Sequence, residues 1–222
     1  MVNKPSILTI IPARGGSKRL PGKNIKELNG KPLLGYSIEY AQQFIEGDVL
    51  VSTDDEKIAQ IAQQYDIEVQ IRPTHLALDN TPTIDVLKYV LMSVEKEYDF
   101  VVLLQPTNPL RPENLFQEAW NLLQKEKGSS LLTVSLNQHK LGKLKGNHFQ
   151  PYTYQFGQRS QDLDPLYYEN GLLYITASEL LKEGVLMDDN SIAMPINHPY
   201  ATVDIDNEID WQWAEFLIQK EQ

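Results

Sequence analysis

Four cationic side chains, Arg14, Lys18, Arg19 and Lys23, fall within a ten-residue window of ARGGSKRLPGKN, directly behind the apolar run Ile7–Ile11. Gly15 and Gly16 let the backbone turn tightly and approach an anion closely. The cations supply charge-assisted donors. This combination suits a nucleoside triphosphate; the competing reading is a flexible, solvated basic loop. Two familiar phosphate loops are excluded by spacing. Five residues separate Gly16 from Gly22, and Asn24 stands where a P-loop has its hydroxyl residue. The dinucleotide fingerprint G-x-G-x-x-G is also absent.

Asp204 and Asp206 form a second candidate pair in ATVDID. If that segment is a strand, both carboxylates project from one face and repel each other. A divalent cation relieves the repulsion, and Mg²⁺ characteristically takes one or two carboxylates together with phosphate oxygens. Alternatively the pair caps a strand–helix junction, with Asp206 at the start of the last helix. Gln105 closes the apolar run DFVVLLQ, where its amide is placed to bond either a polar ligand or the backbone of the following proline turn. Arg72 precedes a proline, and reads as a surface arginine or a ligand contact. The four histidines are scattered without metal-ligand spacing and read as structural or surface residues. The chain has no cysteine, which excludes disulfides, thiolate zinc sites and thiol nucleophiles.

Hydrophobic patterning indicates what must position these groups. Apolar strands are expected at Ile7–Ile11, Asp48–Thr53, Ile67–Arg72, Asp99–Gln105 and Ser130–Asn137. Helices are expected at Leu33–Phe44, after the capping pair Asp54 and Asp55, at Thr81–Glu97, and after Pro112. Strand–helix alternation over about the first 130 residues implies a parallel sheet covered by helices. The first loop then lies at the carboxyl end of strand one, where open α/β sheets bind ligands. Residues 138–166 break the rhythm. They are polar, aromatic and turn-rich, with a Gly-Asn hairpin signal, and read as a β arm or lid. The tyrosines at 152, 154, 167 and 168 either stack a ligand or bury the arm against a second subunit. The core resumes with strands at Leu172–Thr176, SIAMPI and Ala201–Asp206, then a last helix. A single domain over residues 1–222 accommodates all of this.

Net charge is −10, which opposes non-specific binding to nucleic acid or an anionic membrane. No apolar run has the length of a membrane span, so a cytoplasmic protein is expected.

Taken together, ARGGSKRLPGKN, VSTDDEKIA, RPTHLALDNTPT, LLQPTNPLR, ENGLLYI and TVDIDNEID resemble the acylneuraminate cytidylyltransferases, in order and across nearly the whole chain. The Kdo cytidylyltransferases share the initial Pro-Ala-Arg but lack the glycine-serine-lysine run. The resemblance implies a Rossmann-like nucleotidyltransferase, a three-layer αβα fold with a dimerisation arm at about 138–166. It implies transfer of CMP from CTP to a nine-carbon sugar acid, with Mg²⁺ and a homodimer. By resemblance, Ala13, Arg14, Gly15, Ser17, Lys18, Lys23, Asn24, Arg72 and Thr83 bind the nucleotide, with Thr83 replacing a serine. Arg14, Lys23, Asp204 and Asp206 are the catalytic set, and the two aspartates hold the metal. Gln105, Arg159, Asn170 and Tyr174 face the sugar. Asn108 replaces a serine, and Arg111 serves either the framework or the site. Tyr167-Tyr168-Glu169 stands where the family has an Arg-Pro pair before Asn-Gly. That departure points to legionaminate or pseudaminate rather than N-acetylneuraminate. Another nucleotidyltransferase and a non-catalytic nucleotide-binding module are the rival readings.

Overall fold

The computed structural model describes residues 4–221. Strand β1 (Ile7–Pro12) leads through the glycine loop to two very short strands, β2 (Glu27–Leu28) and β3 (Lys31–Pro32). Helix α1 (Leu33–Phe44), β4 (Asp48–Thr53), α2 (Glu56–Gln63), β5 (Glu68–Ile71), α3 (Thr83–Ser93), β6 (Phe100–Leu103), α4 (Leu115–Glu126) and β7 (Ser130–Asn137) follow. A hairpin of β8 (Gly142–Lys145) and β9 (His148–Pro151) interrupts the alternation. Then come β10 (Leu166–Ala177), α5 (Ser178–Lys182), β11 (Ile192–Pro195) and α6 (Glu208–Glu221).

The main sheet has seven strands in the order β11-β7-β10-β6-β1-β4-β5. Only β10 runs antiparallel to its neighbours. Ile10 is in register with Leu50 on one side and Leu103 on the other. The apolar runs are continuous because both faces are covered. Along β1, Ile7 and Ile11 face α1, α2 and α4, while Leu8 and Ile10 face α3 and α5. A third apolar cluster seats α6, with buried Trp211, against Leu28, Leu33, Val203 and Ile205. The expected mostly parallel, three-layer sheet is therefore present.

Three expectations need correction. Strand β10 is much longer than Leu172–Thr176. Its polar start was not legible as strand, yet Tyr167 and Tyr168 pair in register with Leu136 and Ser135. Second, Ala201–Asp206 is not a strand. A short 3₁₀ turn, Pro199–Thr202, leads into an unpaired segment. Asn108 Nδ2 donates to Val203 O at 2.8 Å and Lys23 Nζ to Ile205 O at 2.6 Å, so side chains occupy carbonyls that a sheet neighbour would use. The two-residue alternation persists: Val203 and Ile205 are buried, while Asp204 and Asp206 face outward. Third, Asp206 does not cap α6. Asn207 accepts from the amides of Ile209 and Asp210, and Asp210 reaches back to the amides of Asp206 and Asn207, a capping box.

Candidate functional site

A cavity of about 510 Å³ opens at the carboxyl ends of β1, β5 and β6. Arg14, Ser17, Lys18, Arg19, Lys23 and Asn24 reach it from the first loop. Arg72 reaches it from the end of β5, Thr83 from the start of α3, Gln105 from beyond β6, and Asp206 from the C-terminal segment. The topology thus brings together residues far apart in sequence. Asp204, Arg159, Asn170 and Tyr174 lie outside this lining.

Specific contacts shape the loop. Gly22 adopts φ 68° and starts a 3₁₀ turn, Lys23–Ile25, that buries Lys23 and Asn24. Asn24 Nδ2 donates to Arg14 O at 2.9 Å, tying the turn to the loop's start, behind buried Ala13. Gly15 is needed for close packing: a Cβ there would lie 2.5 Å from Asp55 Oδ2. Its N–H donates to Asp54 Oδ1 at 3.1 Å, so this amide serves the framework rather than standing free for phosphate. Asp55 also caps α2 through the amides of Lys57 and Ile58, as expected.

Every cation of the loop faces a carboxylate. Asp206 bonds Lys23 at 2.9 Å and pairs with Arg19 at 2.9 Å. Asp79 pairs with Arg14 at 3.0 Å and with Lys18. Four cations against these two carboxylates leave the cradle two charges positive (4 − 2). Arg72 is not a surface residue. It is buried, donates from Nη1 to Ser52 O at 2.6 Å, and lies 4.0 Å from Asp54. Its Nε is buried and has no hydrogen-bond partner among the described residues. Burial lowers its pKa, but a guanidinium stays charged.

A cytidylyltransferase family model matches residues 8–183. The chain belongs to the cytidylyltransferase family. It is 34% identical to the CMP-N,N'-diacetyllegionaminic acid synthase of Legionella pneumophila, over 97% of each chain. It is 33% identical to the N-acylneuraminate cytidylyltransferase of Streptococcus agalactiae serotype III, over 92% of this chain but 51% of that protein. The chain thus spans about half the length of the streptococcal relative. A CMP:2-keto-3-deoxy-manno-octonic acid synthetase solved with CTP superposes with a TM-score of 0.74, at 17% identity, over 98% of this chain and 100% of that one. At that identity the likeness shows the shared nucleotidyltransferase fold.

In this cytidylyltransferase the residues assigned to the sugar by resemblance lie in different settings. Gln105 lines the cavity. Asn170 is buried, with its amide bonded to Thr133, Ser135 and the Leu172 backbone, so here it holds the β7–β10 junction. Tyr174 is buried and donates to Glu169 at 3.1 Å; burial first, then Glu169, raises its pKa. Arg159 is exposed in the excursion and doubly bonded to Asp162. Arg111 belongs to the framework. It donates to Leu172 O, Ser37 and Gln105 O, and burial pushes its pKa down to about 10, so it remains protonated at neutral pH.

Asp204 presents more than a third of its surface to water, yet its carboxyl is crowded by the protein. Burial, then Asp206 and Asp210, push its pKa up, against hydrogen bonding from Thr107. The Asp204–Asp206 repulsion expected from spacing is therefore present without a strand.

Gly171 supports the ligand side. At φ +77°, an added Cβ would lie 2.7 Å from Asn108 Oδ1 and 2.9 Å from Gln105 Oε1. Gly171→Ala is expected to cost about 1–3 kcal/mol and to displace Gln105. Thermal unfolding and the KM for the acceptor check this; an unchanged Tm with unchanged KM would refute it.

Asp54, expected to cap α2 with Asp55, instead accepts from the Gly15 amide, and Asp79 carried no expected role. Both lay in motifs already singled out, VSTDDEKIA and RPTHLALDNTPT, but nothing in their spacing says which cation a loop carboxylate will meet.

Proposed function

We propose that the chain transfers CMP from CTP to the anomeric hydroxyl of a nonulosonic, sialic-acid-like sugar acid, releasing pyrophosphate. The observation that carries this is one cavity lined by the four loop cations, buried Arg72, Thr83, Gln105 and Asp206. The full-length relation to a CMP-N,N'-diacetyllegionaminic acid synthase supports a nine-carbon acceptor. We place the reaction in the cytoplasm, where CTP is available; among the described residues no helix is long and apolar enough to cross a membrane.

In the reaction the acceptor oxygen forms a bond to the α-phosphorus as the bond to pyrophosphate breaks, and the hydroxyl proton leaves. Such transfer depends on positioning and charge neutralisation more than on covalent participation by the protein. Arg14, Lys18 and Lys23 hold the phosphates, Arg72 and Thr83 the nucleoside side, and Gln105 the acceptor. Asp204 and Asp206 fit Mg²⁺. They repel each other beside the phosphate cations, and one or two carboxylates are what Mg²⁺ characteristically takes from a protein. That leaves coordination positions for water and phosphate oxygens, as Mg²⁺ requires. Bound there, the ion neutralises phosphate charge.

The exposed hairpin is proposed to seat on a second copy. Leu144, Phe149, Tyr152 and Phe156 present apolar surface on this excursion, and Arg159 is carried with it. Deleting 143–154 is expected to give a monomer with weaker acceptor binding, read by sedimentation; an unchanged oligomeric mass would count against it.

The test of function is pyrophosphate release with CTP and Mg²⁺ against legionaminate, pseudaminate, N-acetylneuraminate and Kdo, with UTP, ATP and GTP as nucleotide controls. Turnover with CTP and one nine-carbon acid is expected. CTP binding by calorimetry with silence across the panel would instead support a non-catalytic module.

A further inference from the structure

Two carboxylates face the phosphate cradle, and only Asp206 has a place in the reaction described. Asp79 sits in the connection between β5 and α3, and Leu76, Leu78 and Thr81 of the same connection also line the cavity. Its two oxygens divide the work: Oδ1 takes Arg14 at 3.0 Å and Oδ2 takes Lys18. A carboxylate bridging two cations in this way makes the same kind of charge-assisted bonds that a phosphate makes. The bridge is built to exchange. Lys18 is 81% exposed and Asp79 42% exposed, so each pair is screened by water and weak. The loop itself is braced independently of the bridge, by Thr81 N–H on Leu78 O and Thr81 Oγ1 on His75 O.

We propose that Asp79 is a built-in counter-ion, competing with the polyphosphate of the nucleotide and with the pyrophosphate product for Arg14 and Lys18. This rests on the reading of the cavity as a triphosphate site. With the cradle empty, Asp79 covers two of its four cations. An arriving triphosphate replaces one carboxylate with several phosphate oxygens, and the departing pyrophosphate is replaced by Asp79 in turn. The competition weakens only ligands that reach Arg14 and Lys18. It therefore sets the difference between polyphosphate and nucleoside affinity, and specificity is such a difference.

The test is calorimetric binding of pyrophosphate, CTP and cytidine, with Mg²⁺, to the full chain and to Asp79→Asn, which keeps the side-chain size and removes the charge. Pyrophosphate is expected to bind about fivefold more tightly or better in Asp79→Asn, with a correspondingly lower inhibition constant in the forward reaction and unchanged cytidine affinity. The gain should shrink at high salt. Asp85→Asn makes the same charge change on exposed α3, outside the cavity lining, and is expected to leave pyrophosphate binding unchanged. Unchanged or weaker pyrophosphate binding in Asp79→Asn would overturn the proposal, as would an equal gain in Asp85→Asn, which would be a general field effect. If the unaltered chain bound neither CTP nor pyrophosphate, the triphosphate reading itself would fall. If it bound both and Asp79→Asn changed nothing, only the counter-ion role would be lost.

Discussion

Replacing Lys23 with methionine should lower kcat/KM for CTP on the order of 10²–10³-fold, more than the loss of any other loop cation. The reason is burial. The Lys23 side chain is only 11% exposed, against 81% for Lys18 and 72% for Arg19. A charge held away from water acts more strongly on a neighbouring phosphate than one in bulk solvent. Lys23 also donates to Ile205 O and Asp206 at once, and so ties the glycine loop to the proposed metal-binding segment. An ammonium has three donors, so one remains after these two bonds. Arginine should not restore activity, because a longer planar fork does not fit a site shaped around a compact ammonium. The fold should survive, since Asp206 keeps Arg19; leaving Ile205 O unpaired costs about 1–3 kcal/mol. Steady-state pyrophosphate release checks the rate, and CTP calorimetry separates binding from chemistry. A loss of threefold or less would mean that Lys23 serves only the fold. Lys18→Ala and Arg19→Ala should each cost about tenfold or less, because exposed charges are screened.

How much of this was legible in the sequence follows from which interactions are local. The run Ile7–Ile11 and the alternation after it fix a strand and its helices, because periodicity reflects burial of neighbouring residues. The first loop was legible for the same reason: its cations and glycines are adjacent. The capping of α2 by Asp55 was equally local. What was not legible depended on distant partners. ATVDID has the alternation of a strand, yet its carbonyls are taken by Asn108 and Lys23, residues about 95 and 182 positions away. For Arg72, left open between a surface arginine and a ligand contact, burial against the Ser52 carbonyl of β4 removes the surface reading. Asn170 carries the right motif for a ligand contact, but whether its amide meets a ligand or the Thr133 and Ser135 hydroxyls depends on how β7 and β10 align. The alternative cap, Asp206, lies one residue before the one used, Asn207, and both are good caps. Asp210, three residues after Asn207, was the signal that decides between them.

Asp204→Asn and Asp206→Asn should each lower Mg²⁺-dependent turnover by about 10²-fold or more, and the double variant should retain none. The two single variants should differ in a second respect. Asp206 is held by Lys23 and Arg19, so its charge is compensated in the free protein. Asp204 lies beside Asp206 and Asp210, and its pKa is raised from 3.8. A carboxyl with a raised folded-state pKa binds more protons folded than unfolded between 3.8 and that higher value, so stability falls as pH rises through this window and stays lower above it. Asparagine cannot ionise and removes that loss. In chelator at neutral pH, Asp204→Asn should therefore melt slightly higher than the unaltered chain, with the advantage vanishing at about pH 3. Asp206→Asn, which breaks two ion pairs, should melt no higher. A carboxylate kept for the fold would move stability and activity down together. One kept to hold a cation costs stability while the site is empty, so its removal should move them in opposite directions. Mg²⁺-dependent turnover persisting in the double variant would show that the metal is held elsewhere.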